Sequence, residues 1–167
     1  MTHRITSFPP IVAPGATCLI LGSMPGVASL TAGQYYAHPQ NAFWRIMDAV
    51  AGVDAALPYA ERVAALTDGG IALWDVLAAC ERAGSLDSAI ARESEVANDL
   101  AGLLAEHPSL TRVYFNGATA EAAFRRHRKA LASRTDLRFT RLPSTSPAHA
   151  SLRFEQKCGL WRAALLD

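Results

Sequence analysis

Thr17-Cys18-Leu19-Ile20-Leu21-Gly22-Ser23-Met24-Pro25-Gly26 is the stretch that decides the fold. Its apolar half is five residues long and lies between Gly15 and Gly22, which suits a buried strand and is too short for a helix. Its second half leads into a long segment, Gln34-Tyr35-Tyr36-Ala37-His38-Pro39-Gln40-Asn41, rich in aromatic and amide side chains. A strand-to-helix connection needs only a few residues, so this stretch reads as the floor and wall of a pocket.

Working outward, the same grammar recurs. Asn41 precedes a helix over 42–50 with Phe43, Ile46, Met47 and Val50 on one face, closed by Gly52. Pro58 opens a second helix that ends near Gly69-Gly70. Ile71 to Asp75 reads as a second strand, Arg112 to Phe115 as a third and Leu137 to Leu142 as a fourth. Residues 80–94 read as polar and turn-like, before a helix from Glu95 to Glu106 that Pro108 stops. Helices over 118–132 and up to Leu166 follow the last two strands, and the Pro-rich residues 1–16 form an extended lead-in. This alternation predicts one domain over 1–167, a three-layer α/β/α arrangement around a central, mostly parallel four-stranded sheet. Ligands of such sheets bind beyond the carboxyl ends of the strands. That rule gathers Gly22–Asn41, Asp75, Asn116-Gly117 and Pro143–Ala150 on one edge.

Composition narrows the function classes. The 167 residues are 50% hydrophobic, carry a net charge of +1 and contain no apolar stretch of membrane-spanning length. The start of the chain lacks a signal peptide's apolar centre, so a cytoplasmic protein without membrane association is expected. Cys18, Cys80 and Cys158 lie far apart with no paired spacing, which supports neither a disulfide framework nor an iron–sulfur site. Charge is unevenly placed: from Arg112 to Arg162, eleven basic residues against three acidic ones leave that segment at +8. A protein facing phosphates has this asymmetry, and so does a solvated helix surface.

The motif inventory is mostly exclusion. The first loop lacks the Gly-x-x-x-x-Gly-Lys-Ser/Thr and Gly-x-Gly-x-x-Gly patterns, no Ser sits in Gly-x-Ser-x-Gly, and the five histidines show no zinc spacing. Metal and cofactor chemistry therefore lose ground, and none is expected. What remains is a pocket with Tyr35, Tyr36, Phe43 and Trp74 for stacking, amides and hydroxyls for edge recognition, and His38 and His149.

These residues carry a resemblance. Gly22-Ser23-Met24-Pro25-Gly26 followed by Tyr36-Ala37-His38-Pro39-Gln40-Asn41-Ala42-Phe43-Trp44 resembles the first motif region of the uracil-DNA glycosylase superfamily. Leu142-Pro143-Ser144-Thr145-Ser146-Pro147-Ala148-His149-Ala150 is similar to its second, DNA-contacting motif. Ile71–Asp75 with Ser85-Leu86-Asp87, and Phe115-Asn116-Gly117, resemble the hypoxanthine-DNA glycosylase branch. The resemblance runs in order over residues 17–162.

The resemblance implies a monomeric, monofunctional DNA glycosylase without lyase activity, acting on DNA that contains a deaminated base: hypoxanthine first, with uracil or xanthine open. Most branches place a water-positioning Asp or Asn where this chain has Met24. By resemblance to the hypoxanthine branch Asn41 takes over, and a neutral amide suits a reaction with an oxocarbenium-like sugar and an anionic leaving base. Asn41 is equally a preferred helix cap. Gly22, Ser23, Met24, Tyr36, Trp74, Asp75 and Asn116 are expected to line the base pocket; Asp75 reads equally as a cap and Asn116 as half of a turn. Ser144, Thr145, Ser146, Pro147, Ala148 and His149 are expected to meet DNA, with Ala148 as a small plug. Two rival functions remain: a non-catalytic module that recognises damaged bases, and a nucleoside hydrolase acting on free inosine.

Overall fold

The computed structural model describes residues 3–166; Met1 and Thr2 of the expected lead-in, and Asp167, lie outside the described residues. Four short strands form the central sheet: β2 (Cys18–Gly22), β3 (Ile71–Asp75), β6 (Arg112–Asn116) and the more polar edge strand β7 (Arg138–Leu142), in the order β3-β2-β6-β7 and all parallel. Alternate residues of a strand face opposite sides, and the core divides accordingly. Leu19, Leu21, Ala72, Trp74, Val113 and Phe115 meet helices α4 (Leu100–Glu106) and α5 (Ala118–His127) on one face. Cys18, Ile20, Ile71, Leu73 and Tyr114 meet α2 (Phe43–Ala51), α3 (Tyr59–Asp68) and α7 (Phe154–Leu165) on the other. Because the strands are covered on both faces, β2 and β3 are buried at every residue. The expected three-layer α/β/α architecture is the observed one.

Register then decides where the chemistry falls. Gly22 pairs with Asp75, Leu21 with Phe115 and Asn116 with Leu142. The strands therefore end nearly level, and the loops that follow β2, β3, β6 and β7 emerge side by side.

Three expectations need correction. Residues 80–94 are not turn-like: β4 (Leu77–Arg82) and β5 (Ile90–Ala97) form a hairpin that pairs with β1 (His3–Thr6) in a second, antiparallel sheet, order β1-β4-β5. Its polar Arg92-Glu93-Ser94-Glu95 run faces water on one side, which hides strand character in the sequence. Since β5 runs to Ala97, the helix expected from Glu95 begins only at Leu100, capped by the Asp99 side chain accepting from Gly102 N. The helix expected over 118–132 breaks at Arg128 into α5 and α6 (Lys129–Ala132), where the Arg128 guanidinium donates to Ala97 O and Asn98 O instead of facing solvent. A short helix, α1 (Val27–Ala32), also forms inside the first loop.

The lead-in is structural. Ile11 pairs with Leu73 through two backbone bonds, covering the β3 edge, while Phe8 O accepts from Trp74 Nε1 and Pro9 O from the Tyr35 hydroxyl.

Candidate active site

The four loops enclose a cavity of about 620 Å³, within the size range of small-ligand sites. Gly22, Ser23, Met24, Tyr36, Asn41, Asp75 and Asn116 all line it, as do Ser144 to His149 on the opposite wall. Trp74 does not. It points into the core on the α4/α5 face, its indole N–H held by Phe8 O at 3.0 Å, so its expected place in the base pocket is corrected by strand alternation.

The floor is built by one close approach. Gly22 and Asp75 end neighbouring strands, and a Cβ added at Gly22 would stand 2.5 Å from Asp75 Oδ1 and 3.3 Å from the Tyr36 hydroxyl. Only glycine leaves room for both groups. Asp75 is 4% exposed and its Oδ2 has no hydrogen-bond partner. Burial, and then the charge of Asp87, push its carboxyl up to about 7 from 3.8, against the pull of Arg82.

Tyr36 has the only positive φ of a non-glycine residue among the described residues, at 56°. The turn presses its ring flat on Phe43, with centroids 4.1 Å apart and planes 15° from parallel. Its buried hydroxyl lies beside the Asn116 side chain without a well-formed hydrogen bond, and burial with the adjacent Asp75 charge keeps the phenol protonated well beyond its ordinary range. Tyr35 also reaches the cavity wall, but its hydroxyl is committed to Pro9 O.

Asn41 sits where the loop becomes α2. Its Oδ1 accepts from Phe43 N at 2.9 Å and its backbone N donates to His38 O, which makes a turn one residue ahead of the helix; the cap position itself falls on Ala42, so the expected helix-cap role of Asn41 is corrected to that of a turn residue. The next amide, Ala42 N, donates to Thr145 O at 2.9 Å. Thr145 in turn exchanges two bonds with Asn116: Asn116 Nδ2 donates to Thr145 Oγ1 at 3.0 Å, and Thr145 N donates to Asn116 Oδ1 at 2.9 Å. Three loops are thus stitched through one residue that is 1% exposed. Thr145 was expected to meet DNA; its buried, internally bonded hydroxyl makes it a support for that loop instead.

The rest of the loop is more open. Pro147, Ala148 and His149 are exposed, and Ser144 and Ser146 close small turns by accepting from Ser146 N and Ala148 N. Two residues of α7 hold it down: Lys157 Nζ donates to His149 O at 2.6 Å, and Trp161 Nε1 donates to Pro143 O at 3.0 Å. Gly117, at φ 99°, keeps the neighbouring turn clear of Ser144, whose Cβ would lie 3.0 Å from an added one.

Sequence reasoning missed one wall as part of the site. Ser85, Leu86, Asp87 and Ser88, from the β4–β5 hairpin, face the cavity, and Ser23 Oγ donates to Asp87 Oδ1 at 2.7 Å. Arg82, 1% exposed, ties this hairpin to the first loop by donating to Gly84 O at 2.8 Å and Pro25 O at 2.6 Å. A lone Arg before a Gly-Ser turn was the available signal.

Much of the basic excess is engaged within the fold. Arg126 and His127 share Glu95, Arg134 pairs with Asp136, Arg125 and Arg141 flank Glu121, and Arg162 donates to Ala49 O. Among the described residues no group of three His, Cys, Asp or Glu side chains is placed to hold a metal ion, and no helix is long and apolar enough to cross a membrane.

Comparison with known proteins agrees with this geometry. The profile of the Uracil DNA glycosylase superfamily matches residues 9–165. A curated Hypoxanthine DNA glycosylase of Methanosarcina barkeri (strain Fusaro / DSM 804) is 40% identical over 111 residues, 66% of this chain and 69% of that protein. A second Hypoxanthine DNA glycosylase, of Methanosarcina acetivorans, is 38% identical over 114 residues, 68% of this chain and 71% of its own. A solution NMR structure described as a candidate uracil DNA glycosylase of Methanosarcina acetivorans superposes with a TM-score of 0.78 at 30% identity, covering 98% of this chain and 99% of the other.

Proposed function

The chain belongs to the Uracil DNA glycosylase superfamily, and from that premise we propose that it is a monofunctional DNA glycosylase. It flips a deaminated base, hypoxanthine first, out of DNA, hydrolyses the N-glycosidic bond and leaves an abasic site. Two relatives named Hypoxanthine DNA glycosylase support the choice of base. It works as one domain, as a monomer and without a cofactor.

The observation that carries this reading is the single cavity that gathers Asn41, Tyr36, Asp75, Asn116 and the loop 144–149 from four separate strand ends. In it, Tyr36 stacks on the flipped base; its ring is already held flat by Phe43. Asn41 orients the attacking water, because its Oδ1 has a second lone pair beyond the one used by Phe43 N. Met24, at the position where other branches carry a polar residue, is a buried wall of the pocket. Pro147, Ala148 and His149 press on the DNA. Ala148 is a small plug, so the protein relies on base pairs that are already weak. Lyase chemistry is not expected, because neither Lys129 nor Lys157 lines the cavity.

The test is single-turnover incubation with duplexes carrying one hypoxanthine, uracil or xanthine, followed by alkaline cleavage of abasic sites. Base release is expected, fastest for hypoxanthine, with DNA affinity that falls as salt rises. Tight binding without release at any base would support a damaged-base sensor. Release from free inosine but not from DNA would support a nucleoside hydrolase. Asn41→Ala should lower the rate by about 10²-fold or more while costing about 1 kcal/mol as one lost turn hydrogen bond.

A further inference from the structure

The cavity floor contains a group whose protonation state the glycosylase reading does not assign. Asp75 is 96% removed from solvent by its 4% exposure, lines the cavity, and its Oδ2 meets no donor. A buried carboxylate without partners is costly, and such a group takes up a proton instead. The surroundings say which carboxyl of the local pair keeps it. Burial raises the Asp87 carboxyl too, but the Ser23 hydroxyl donated to it at 2.7 Å, the Arg82 charge and the Thr119 side chain all favour its charged form. Asp75 faces that charge from β3, with the Tyr36 and Tyr35 phenols on the loop side and Arg82 on β4. Arg82 directs its bonds to Pro25 O and Gly84 O, leaves its Nη1 unpartnered and forms no ion pair with Asp75, so no cation neutralises it at contact. Burial and Asp87 together hold the carboxyl near 7, which keeps a substantial neutral fraction at physiological pH.

Resting on the glycosylase reading, we propose that Asp75 is a catalytic acid: as a neutral carboxyl it hydrogen-bonds a ring nitrogen of a flipped purine and gives up its proton as the base departs. The proton balance is complete. When the C1′–N9 bond breaks, its electron pair goes to N9, and the proton of Asp75 moves to N7 or N3, so that hypoxanthine leaves neutral. Water adds to C1′ and releases one proton to solvent, and Asp75 regains one from solvent. Uracil has no ring nitrogen with a free lone pair, since N1 is glycosidic and N3 already carries a hydrogen, so the device favours purines. The Ser23–Asp87 bond and the glycine at position 22 are the features that make it possible: the first anchors the negative charge elsewhere, the second lets the carboxyl reach the cavity.

The test measures single-turnover release of hypoxanthine, 7-deazahypoxanthine and 3-deazahypoxanthine from duplexes across neutral pH, with wild type and Asp75→Asn. The expected wild-type rate falls tenfold per pH unit once the carboxyl ionises. Asp75→Asn should lose that limb and be slower by about 10²-fold or more on the acid side, in a protein that still melts in one cooperative transition. One deaza base should slow the wild type by a similar factor and add little to the loss in Asp75→Asn. Asp87→Asn should move the limb to lower pH, a readout that does not depend on the behaviour of Asp75→Asn. A flat wild-type profile, an unchanged limb in Asp75→Asn, or additive losses with both deaza bases would each overturn the inference and leave the glycosylase reading standing. No release by wild type from any hypoxanthine, uracil or xanthine duplex would overturn the glycosylase reading, and this inference with it.

Discussion

Asn116→Ala is the perturbation that best tests how the site is assembled. The substitution removes two bonds, of 3.0 and 2.9 Å, and strands the amide of Thr145, a residue only 1% exposed. An orphaned buried donor costs about 1–3 kcal/mol and a lost neutral partner for the hydroxyl about 1, so roughly 2–4 kcal/mol is expected in all. For a chain of this length each kcal/mol lowers the thermal midpoint by roughly 2–4 °C, which places the loss well outside experimental error. Thr145→Val removes the hydroxyl but keeps the backbone bond to Asn116, so its cost should be about 1 kcal/mol. The double variant should then cost less than the two singles added together. Activity should fall further than stability, since Thr145 O also holds Ala42 N and with it the position of Asn41. Thermal melts and single-turnover rates measured well below the melting range separate the two effects. A midpoint for Asn116→Ala within experimental error of wild type, or strict additivity in the double variant, would refute the stitching argument.

Other outcomes follow from neighbouring residues. Gly22→Ala places a Cβ 2.5 Å from Asp75 Oδ1 and should cost about 1–3 kcal/mol as an overpacked site, with activity lost even where the protein is folded; wild-type melting and turnover would count against the close approach. Because Asp75 is raised to about 7 from 3.8, the folded state holds a proton the unfolded chain has released. The stability this proton confers is complete below the unfolded value, declines as pH rises from about 4 to 7, and stays lost above that. Asp75→Asn should abolish the decline, so its midpoint relative to wild type should climb across that window; parallel melting curves would contradict it. Lys157→Met removes the charged donor to His149 O, a bond worth about 1.5–3 kcal/mol, and should weaken DNA binding in titrations while leaving base preference unchanged.

The parallel sheet was legible because β2 and β3 are short apolar runs and β6 and β7 are short segments closed by Asn116-Gly117 and Pro143, and the rule about carboxyl ends then located the cavity. What stayed hidden depends on facts that spacing does not carry. Trp74 looked like a pocket aromatic because it sits next to Asp75, but adjacent strand residues face opposite ways, and its face is the core. The β4–β5 hairpin pairs with β1, whose partners are some eighty positions away in sequence, so nothing local marks it as a sheet. Thr145 is polar and flanked by loop residues, and only the tertiary bond to Asn116 makes it interior. Asn41 was readable both as a cap and as a site residue; the cap position falls one residue later, on Ala42, and Asn41 bonds Phe43 N in the preceding turn while lining the cavity.

The cavity is walled by two sheets that do not share a strand. Its floor and far wall come from the level ends of the parallel sheet, while Ser85 to Ser88 close it from the antiparallel one. Pocket width is therefore decoupled from strand register. Residues added to or removed from the Ala83–Ala89 connection would widen or narrow the space for a base without disturbing one hydrogen bond of the central ladder, because loop length is a cheap variable and register is not. The hairpin is thus an adjustable jaw set against a fixed one, the part through which a lineage can change the size of base it accepts while the wall that holds Asn41 stays in place, provided Asp87 keeps its bond to Ser23.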